Sequence, residues 1–214
     1  ARRQRQMCIR DRGKGGIINS AIRIFIHKIE KKCYQSCTKV LFLSAEMKSE
    51  AKRLYGLVEK KLEVQYPFIT LGNKVTNELE SIFDRDKINI VYSGALGEKQ
   101  NPSALFDFFS YASQKIDNTV FHFFSEGETL RELARLNKNK SIIFHSLVEI
   151  DNLEELYSKS DVQVIPQKEN TSKGSLPSKL PNILVSGCKV LLITDANSEI
   201  EKFFMSNNLD TVVT

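Results

Sequence analysis

The hydrophobic positions along the chain follow two alternating periods, one typical of buried strands and one typical of amphipathic helices. From residue 88 onward, short continuous apolar runs are each followed by a stretch with helical spacing. Continuous apolar strands that alternate with helices predict an α/β fold with a doubly wound parallel sheet. The predicted strands are INIVYSG (88–94), TVFHFFS (119–125), SIIFHSL (141–147), DVQVIPQ (161–167) and KVLLIT (189–194).

Before residue 88 the pattern predicts a smaller unit. Residues 39–44 and 61–69 read as strands, and residues 45–55 read as a helix with Ser44 as its N-cap and Gly56 as its C-cap. Residues 70–87 are polar and poorly patterned, which is typical of a linker. We therefore expect a first unit over 13–69, a linker over 70–87 and a second domain over 88–214.

Residues 17–36 predict an amphipathic basic helix, for which two uses remain open. Its apolar stripe packs against its own domain, or it lies on an anionic membrane surface with its basic side chains near the headgroups. The stripe contains Ile18, Ile22, Phe25, Ile29 and Cys33, and the basic residues are Arg23, Lys28, Lys31 and Lys32.

The formal charge of +5 is unevenly distributed. Residues 1–12 carry five arginines and one aspartate, and the letters MCIRDR resemble a translated sequencing adaptor, so we expect an artefactual or disordered tail. No aromatic residues alternate with these arginines, which disfavours nucleic acid as a partner. Neither a signal peptide nor a membrane span is recognisable, so we expect a cytoplasmic protein with at most peripheral membrane contact. The four cysteines are expected to be reduced thiols, and no metal site is predicted.

Two loops carry candidate chemistry, because ligands of such sheets bind beyond the carboxyl ends of the strands. After the first strand of the sheet, YSGALGEKQN offers Gly94 and Lys99 to an anion. The segment GSLPSKLPNILVSG (174–187) begins a helix with more glycine, proline and lysine than capping requires. The amino end of that helix favours an anion such as a diphosphate. His145, at a strand end, is expected to be a packed core residue rather than a base.

The order and spacing of VYSGALGEKQ, LVEIDNLEELYSKSDVQVIP and LPSKLPNILVSGCKVLLIT resemble the carboxyl-terminal, sugar-nucleotide-binding half of GT-B glycosyltransferases. The nearest resemblance is to retaining enzymes that build colanic acid, capsular polysaccharide and lipopolysaccharide. It implies that residues 88–214 are a donor-binding domain truncated at its carboxyl end. It also implies that residues 13–69 are the last part of the acceptor-side domain.

The resemblance implies a donor-binding role for several positions. Lys99 would neutralise the diphosphate, the turn after His145 would touch the base, and Asn182 would bind the ribose through its amide. The family's arginine and two glutamates are absent at Ala95, Gly174 and Asn182. The full set of implied donor-binding residues is Gly94, Lys99, Ser146, Leu147, Val148, Pro166, Gly174, Ser175, Leu176, Pro177, Ser178, Lys179 and Asn182.

The implied reaction is transfer of a sugar from a UDP- or GDP-linked donor to a glycan or lipid-linked acceptor, without a cofactor or metal. The groups that touch the acceptor would lie mostly outside this chain, so we expect it to have little activity alone. Two alternatives remain open. One is a sugar-nucleotide epimerase of the same fold, although it would need carboxylates that are missing here. The other is a noncatalytic partner that keeps the fold.

Overall fold

The computed structural model describes residues 17–70, 77–171 and 176–209, with side chains from residue 21 onward. The chain divides into two compact units, Ala1–Gln65 and Tyr66–Thr214. Each unit has its own parallel sheet.

The first unit contains two helices and a two-stranded parallel sheet. Its elements are α1 (Ile17–Ser36), β1 (Val40–Phe42), α2 (Ala45–Tyr55), a 3₁₀ turn (Glu59–Lys61) and β2 (Leu62–Val64). The predicted caps of α2 are confirmed: Ser44 Oγ accepts from Met47 N at 3.1 Å, and Gly56 has a φ of 62°. The second strand is shorter than the predicted 61–69, and the chain beyond residue 65 belongs to the second unit.

Helix α1 packs through a different face from the one that the apolar pattern predicts. His27 stacks on Tyr55 with ring centroids 4.7 Å apart, and Tyr34 lies 5.0 Å from the same ring. The described side chains of the predicted stripe are exposed instead, with Phe25 65% exposed and Ile22 and Ile29 each 47% exposed. Contacts with Tyr55 of α2 therefore set which face of α1 packs within the described part of the first unit, and both uses of the stripe remain predictions.

The second unit is a doubly wound α/β domain, which confirms the predicted fold class. Its strands lie in the order β5-β4-β3-β6-β7, and every neighbouring pair is parallel. The strands are β3 (Ile88–Ser93), β4 (Thr119–Phe124), β5 (Ile142–His145), β6 (Val162–Pro166) and β7 (Lys189–Ile193). The helices are α3 (Pro102–Ala112), α4 (Glu128–Leu136), α5 (Leu153–Lys159), α6 (Leu180–Val185) and α7 (Glu199–Ser206).

Helices cover both faces of this sheet. On one face Phe109 of α3 and Leu133 of α4 belong to a cluster with Phe121 and Phe123 of β4. On the other face Phe124 clusters with side chains of the other three helices, which are Leu156, Ile183 and Phe204. Both faces are therefore buried, which explains why the strands read as continuous apolar runs.

The segment predicted as a linker packs into the second unit. Residues 71–76 lie outside the described residues, but Leu79 and Phe83 are 8% and 7% exposed and belong to the core cluster around Phe124. The backbone N–H of Leu79 also donates to Glu155 Oε1 at 3.1 Å. The prediction is corrected here, because two apolar side chains in a charged stretch bury themselves against the sheet.

Helix α6 begins at Leu180, two residues later than the predicted start at Ser178, and it has only six residues. Pro181 lies within its first turn, where a missing N–H is tolerated, as predicted. The short helix has a weaker dipole than the prediction assumed, because the dipole sums over aligned peptides. Across the described ranges, no helix has the length and apolarity that crossing a bilayer requires.

Candidate functional site

The carboxyl end of β3 forms a tight turn at Gly94. This residue has a φ of 137°, which side chains rarely tolerate, and its N–H donates to Phe124 O on the neighbouring strand at 2.9 Å. The hydroxyl of Tyr92 donates to Ala95 O at 2.7 Å. Burial raises the pKa of Tyr92, so the phenol stays protonated and keeps this contact. The turn is therefore fixed by backbone and phenol hydrogen bonds, with no side chain of its own at Gly94.

Lys179 lies over this turn. Its Nζ donates to Ser93 O at 2.6 Å and stands 5.0 Å from the centre of the Tyr92 ring. A Cβ on Gly94 would come 4.0 Å from the same ammonium. Burial lowers the pKa of Lys179 from 10.5 to about 8. The structure thus brings two of the predicted residues, Gly94 and Lys179, together at the end of the central strand, where the Lys179 ammonium is the cation.

Lys99 lies further along the same loop after β3 and is exposed. It lies in a 3₁₀ turn, Glu98–Gln100, whose start is closed by a bond from Gly97 N to Gln100 Oε1 at 3.2 Å. The carbonyl of Lys99 accepts from Lys168 N at 2.6 Å, and Lys168 Nζ pairs with Glu98 at 3.2 Å. These contacts tie the loop after β3 to the loop after β6, so the exposed Lys99 ammonium projects from an anchored backbone.

The residues predicted to contact the base lie around the end of β5. Ser146 and Leu147 are exposed in the turn, whereas Val148 packs against the core. Pro166 is buried as the last residue of β6. The base-binding role of the turn remains a prediction, since the geometry gives only its exposure and its place at the sheet edge.

The side chain of Asn182 forms hydrogen bonds with Thr70 within the second unit. It is 4% exposed, its Oδ1 accepts from Thr70 N at 2.8 Å, and its Nδ2 donates to Thr70 Oγ1 at 2.8 Å. The predicted ribose contact would have to compete with Thr70 or use the remaining hydrogen and lone pair of the amide.

The other predicted residues of the PSK segment add no charged side chain beside Lys179 in the described part of the chain. Gly174 and Ser175 lie outside the described residues, and Ser178 is exposed. Leu176 and Pro177 line an apolar groove of about 370 Å³ with Tyr66, Ile69, Leu184 and Phe203. That lining has no charge to offer a phosphate, so within the described part of this segment Lys179 is the side chain that suits an anion.

A histidine pair, with His122 inside β4 and His145 at the end of β5, was not identified as a site from the sequence. His122 Nδ1 lies 3.0 Å from His145 Nε2, and His122 Nε2 lies 3.2 Å from Asn89 Oδ1. His145 also stacks on Phe124 at 4.4 Å. The signal was present in the positions of the two histidines within predicted neighbouring strands, but their contact depends on the strand register.

In the described part of the chain, no cluster of three or more His, Cys, Asp or Glu side chains could hold a metal ion. The cysteines described there, Cys33, Cys37 and Cys188, are free thiols.

Comparison with known proteins gives one match in sequence and many in structure. No family model matches the chain. The chain is 29% identical over 122 residues to WcaI of Escherichia coli K12, which is named as a colanic acid biosynthesis glycosyl transferase. The match covers 55% of this chain and 29% of that protein, so the chain spans well under half of its curated relative.

Solved structures share the fold at low sequence identity. WaaG, described as a glycosyltransferase involved in lipopolysaccharide biosynthesis, aligns with a TM-score of 0.63 and 13% identity over 82% of this chain and 49% of its own. Anabaena HepE in complex with UDP and glucose aligns with a TM-score of 0.63 and 10% identity over 88% and 52%. Taken with the sequence match, these alignments confirm the predicted resemblance: the chain has the fold of GT-B glycosyltransferases and spans about half of their length.

Proposed function

We propose that this chain is part of a glycosyltransferase that moves a sugar from a nucleoside diphosphate to a glycan or lipid-linked acceptor. Its second unit would bind the donor. The observation that carries the proposal is the Lys179 ammonium held on the carboxyl end of β3 beside Gly94. A solved structure with the same fold contains UDP and glucose, which supports a nucleotide sugar as the ligand.

The proposed site stabilises the leaving group electrostatically. When the bond between sugar and diphosphate breaks, negative charge grows on the diphosphate, and a cation fixed nearby favours that change. Lys179 supplies a cation in a partly buried position, where charge interactions are stronger than in water. Lys99 would add a mobile cation at the rim. On this reading the reaction needs neither a metal nor a cofactor.

Similarity to WcaI supports a role in the synthesis of a surface polysaccharide. We therefore propose a cytoplasmic enzyme that uses nucleotide sugars as donor substrates. The exposed stripe of α1 (Ile22, Phe25 and Ile29) lies among basic residues and supports peripheral contact with an anionic membrane. Lipid-linked acceptors would be reached from there.

Calorimetry with UDP, GDP, their sugars and the corresponding nucleosides tests the donor proposal. We expect binding of at least one nucleoside diphosphate, and weaker binding of its nucleoside, because Lys179 and Lys99 interact with phosphate. If no nucleoside diphosphate binds better than its nucleoside, the proposed function is wrong. In the longer protein of which this chain would be part, donor binding without sugar transfer to any supplied acceptor would favour the noncatalytic alternative. The hydrogen bonds between Asn182 and Thr70 support that alternative.

Cosedimentation with phosphatidylserine vesicles tests the membrane contact. Each basic residue near such a surface contributes about 1 kcal/mol, so replacing four of them with glutamine should abolish binding. The four residues are Arg23, Lys28, Lys31 and Lys32. High salt should release the unmodified protein, and neutral phosphatidylcholine vesicles are the control. Binding that persists in the glutamine variant would contradict a role for α1.

A further inference from the structure

A chain of hydrogen bonds runs from Asn89 on the central strand β3 through His122 on β4 to His145 at the end of β5. His122 is fully buried, and His145 is partly exposed at the carboxyl edge of the sheet. The two imidazoles lie edge to edge and nearly coplanar, with centroids 5.3 Å apart and an interplanar angle of 24°, and His145 stacks on Phe124 at an interplanar angle of 17°. Both the position and the plane of the His145 ring are therefore fixed by neighbours in the sheet.

The direction of these hydrogen bonds follows from Asn89. Its amide nitrogen donates to the carbonyls of Asp84 and Lys87, both at 2.9 Å, and a carbonyl can only accept. The amide oxygen must then face His122 Nε2, which has to carry a proton. The other nitrogen of His122 is an acceptor, so the proton between the two rings belongs to His145 Nε2.

His145 Nδ1 is consequently left without a proton. No described residue is hydrogen-bonded to this atom, and Ser146 and Leu147 just beyond it are exposed. Burial lowers the pKa of both histidines, that of His122 to about 4, so the pair is neutral at neutral pH. The fold thus holds a neutral, oriented acceptor at the edge of the sheet, beside the turn predicted to contact the base.

We propose that His145 Nδ1 reads the nucleobase of the donor by accepting a ring N–H. This inference rests on the proposed function, since it requires a nucleotide at the turn that follows β5. Uracil and guanine have such an N–H beside a carbonyl group, whereas the corresponding ring nitrogen of cytosine or adenine is an acceptor and would be repelled. Asn89 and His122 act as positioning residues, because they fix the tautomer of His145 without contacting the base.

The tautomer is tested in the full chain without any nucleotide. Long-range proton–nitrogen NMR spectra distinguish a bare ring nitrogen from a protonated one. We expect His145 with a proton on Nε2 and none on Nδ1, and His122 with a proton on its own Nε2. A proton on His145 Nδ1 would overturn the inference.

Base recognition is tested by binding of UDP, GDP, CDP and ADP, together with UDP methylated at N3. We expect UDP or GDP to bind more tightly than CDP and ADP. In His145→Phe, which keeps a flat ring against Phe124, the preferred diphosphate should bind about tenfold more weakly, as expected for one lost hydrogen bond. CDP binding should not weaken, because the substitution removes an acceptor that repels the ring nitrogen of cytosine. His27→Phe makes the same substitution at a stacked histidine of the first unit and should behave as the wild type.

The possible results separate this inference from the proposed function. If the wild type binds no nucleoside diphosphate, the proposed function fails and the inference fails with it. If it binds them without regard to the base, or if His145→Phe weakens UDP and CDP equally, only the inference fails. Should His145→Phe not fold, the methylated UDP decides on the wild type alone: methylation should weaken binding about tenfold if uracil is the base, and the corresponding N1-methyl GDP serves if it is guanine.

Discussion

Replacing Lys179 with methionine should weaken the binding of nucleoside diphosphates without weakening the fold. Methionine has a similar length and no charge, so it fills the same space over Tyr92. It removes the bond from Nζ to Ser93 O and the cation next to Gly94. The substitution should leave the free energy of unfolding unchanged or higher, whereas it should weaken the binding of nucleoside diphosphates. The variant therefore separates a structural role of Lys179 from a role in binding.

The effect on stability follows from the lowered pKa of Lys179. A fall from 10.5 to about 8 means that the folded protein holds the charged amine less favourably than water does. Each pKa unit corresponds to about 1.4 kcal/mol, so carrying the charge at neutral pH costs about 3 kcal/mol of stability. Methionine avoids this cost and loses one hydrogen bond of about 1 kcal/mol. The free energy of unfolding should therefore be unchanged or higher.

The effect on binding follows from the loss of a charged contact to phosphate. Hydrogen bonds to charged groups contribute about 1.5 to 3 kcal/mol, so the dissociation constant should rise roughly 10- to 100-fold. Nucleoside binding should barely change. In the wild type, affinity should also fall as the pH rises through about 8, because Lys179 then loses its proton while the diphosphate is already fully ionised. The methionine variant should lack this dependence.

Calorimetry gives the affinities, and denaturation by urea gives the stability. Lys140→Met is the matched control, because Lys140 is exposed in the turn before β5, at the amino edge of the same sheet. Lys99→Met should weaken diphosphate binding by about 1.5 to 3 kcal/mol if that lysine also contacts phosphate. A Lys179→Met variant that binds diphosphates like the wild type and unfolds more easily would refute the reasoning, and Lys179 would then be a structural residue.

Three further predictions concern the second unit. Phe83→Ala should lower the free energy of unfolding by about 3 kcal/mol in urea titrations, since the ring is buried against His122 and Phe124; a change below about 0.5 kcal/mol would restore the linker interpretation. Asn182→Ala should cost about 1 to 3 kcal/mol, and a double-mutant cycle with Thr70→Val should show coupling, whereas strictly additive losses would contradict the paired contact. Stability should fall as the pH drops from 6.5 toward about 4, because the unfolded chain takes up a proton at His122 that the native state resists; urea midpoints at pH 7 and 4.5 should differ less in His122→Phe, and an unaltered difference would argue against this assignment.

Local pattern predicted the sheet well because its central strands β3, β4 and β6 are buried on both faces. In TVFHFF every residue is buried, so the whole run is apolar or nearly so. Such a strand can be recognised without knowing which strands lie beside it. The helices α3 to α7 are recognised as the segments with helical spacing between these strands. What the pattern cannot give is the partner of a side chain that is distant in sequence.

The errors have this origin. Leu79, Ile82 and Phe83 are a few apolar residues in a charged stretch, and their burial depends on a sheet that lies later in the chain. In α1 the apolar pattern predicts that the stripe is the packed face. In the described part of the first unit, His27 and Tyr34 pack on Tyr55 instead. The candidate site shows the same division. The motif around Lys179 was visible, whereas its contact with Ser93, 86 residues away, was not.

The central position of β3 has a consequence for synthesis on the ribosome. One edge of β3 pairs with β4, which follows soon after, but the other pairs with β6, and Asp161 accepts from Asn89 N across a gap of 72 residues. At about 5 to 20 residues per second, the ribosome needs roughly 4 to 14 seconds to make that stretch. During this interval a nascent chain displays an unpaired parallel edge flanked by apolar side chains, which is the kind of surface that chaperones and neighbouring chains bind. The strand that ends at the proposed donor site therefore waits longest for its second partner, since the later pairing of β6 with β7 joins strands that are much closer in sequence.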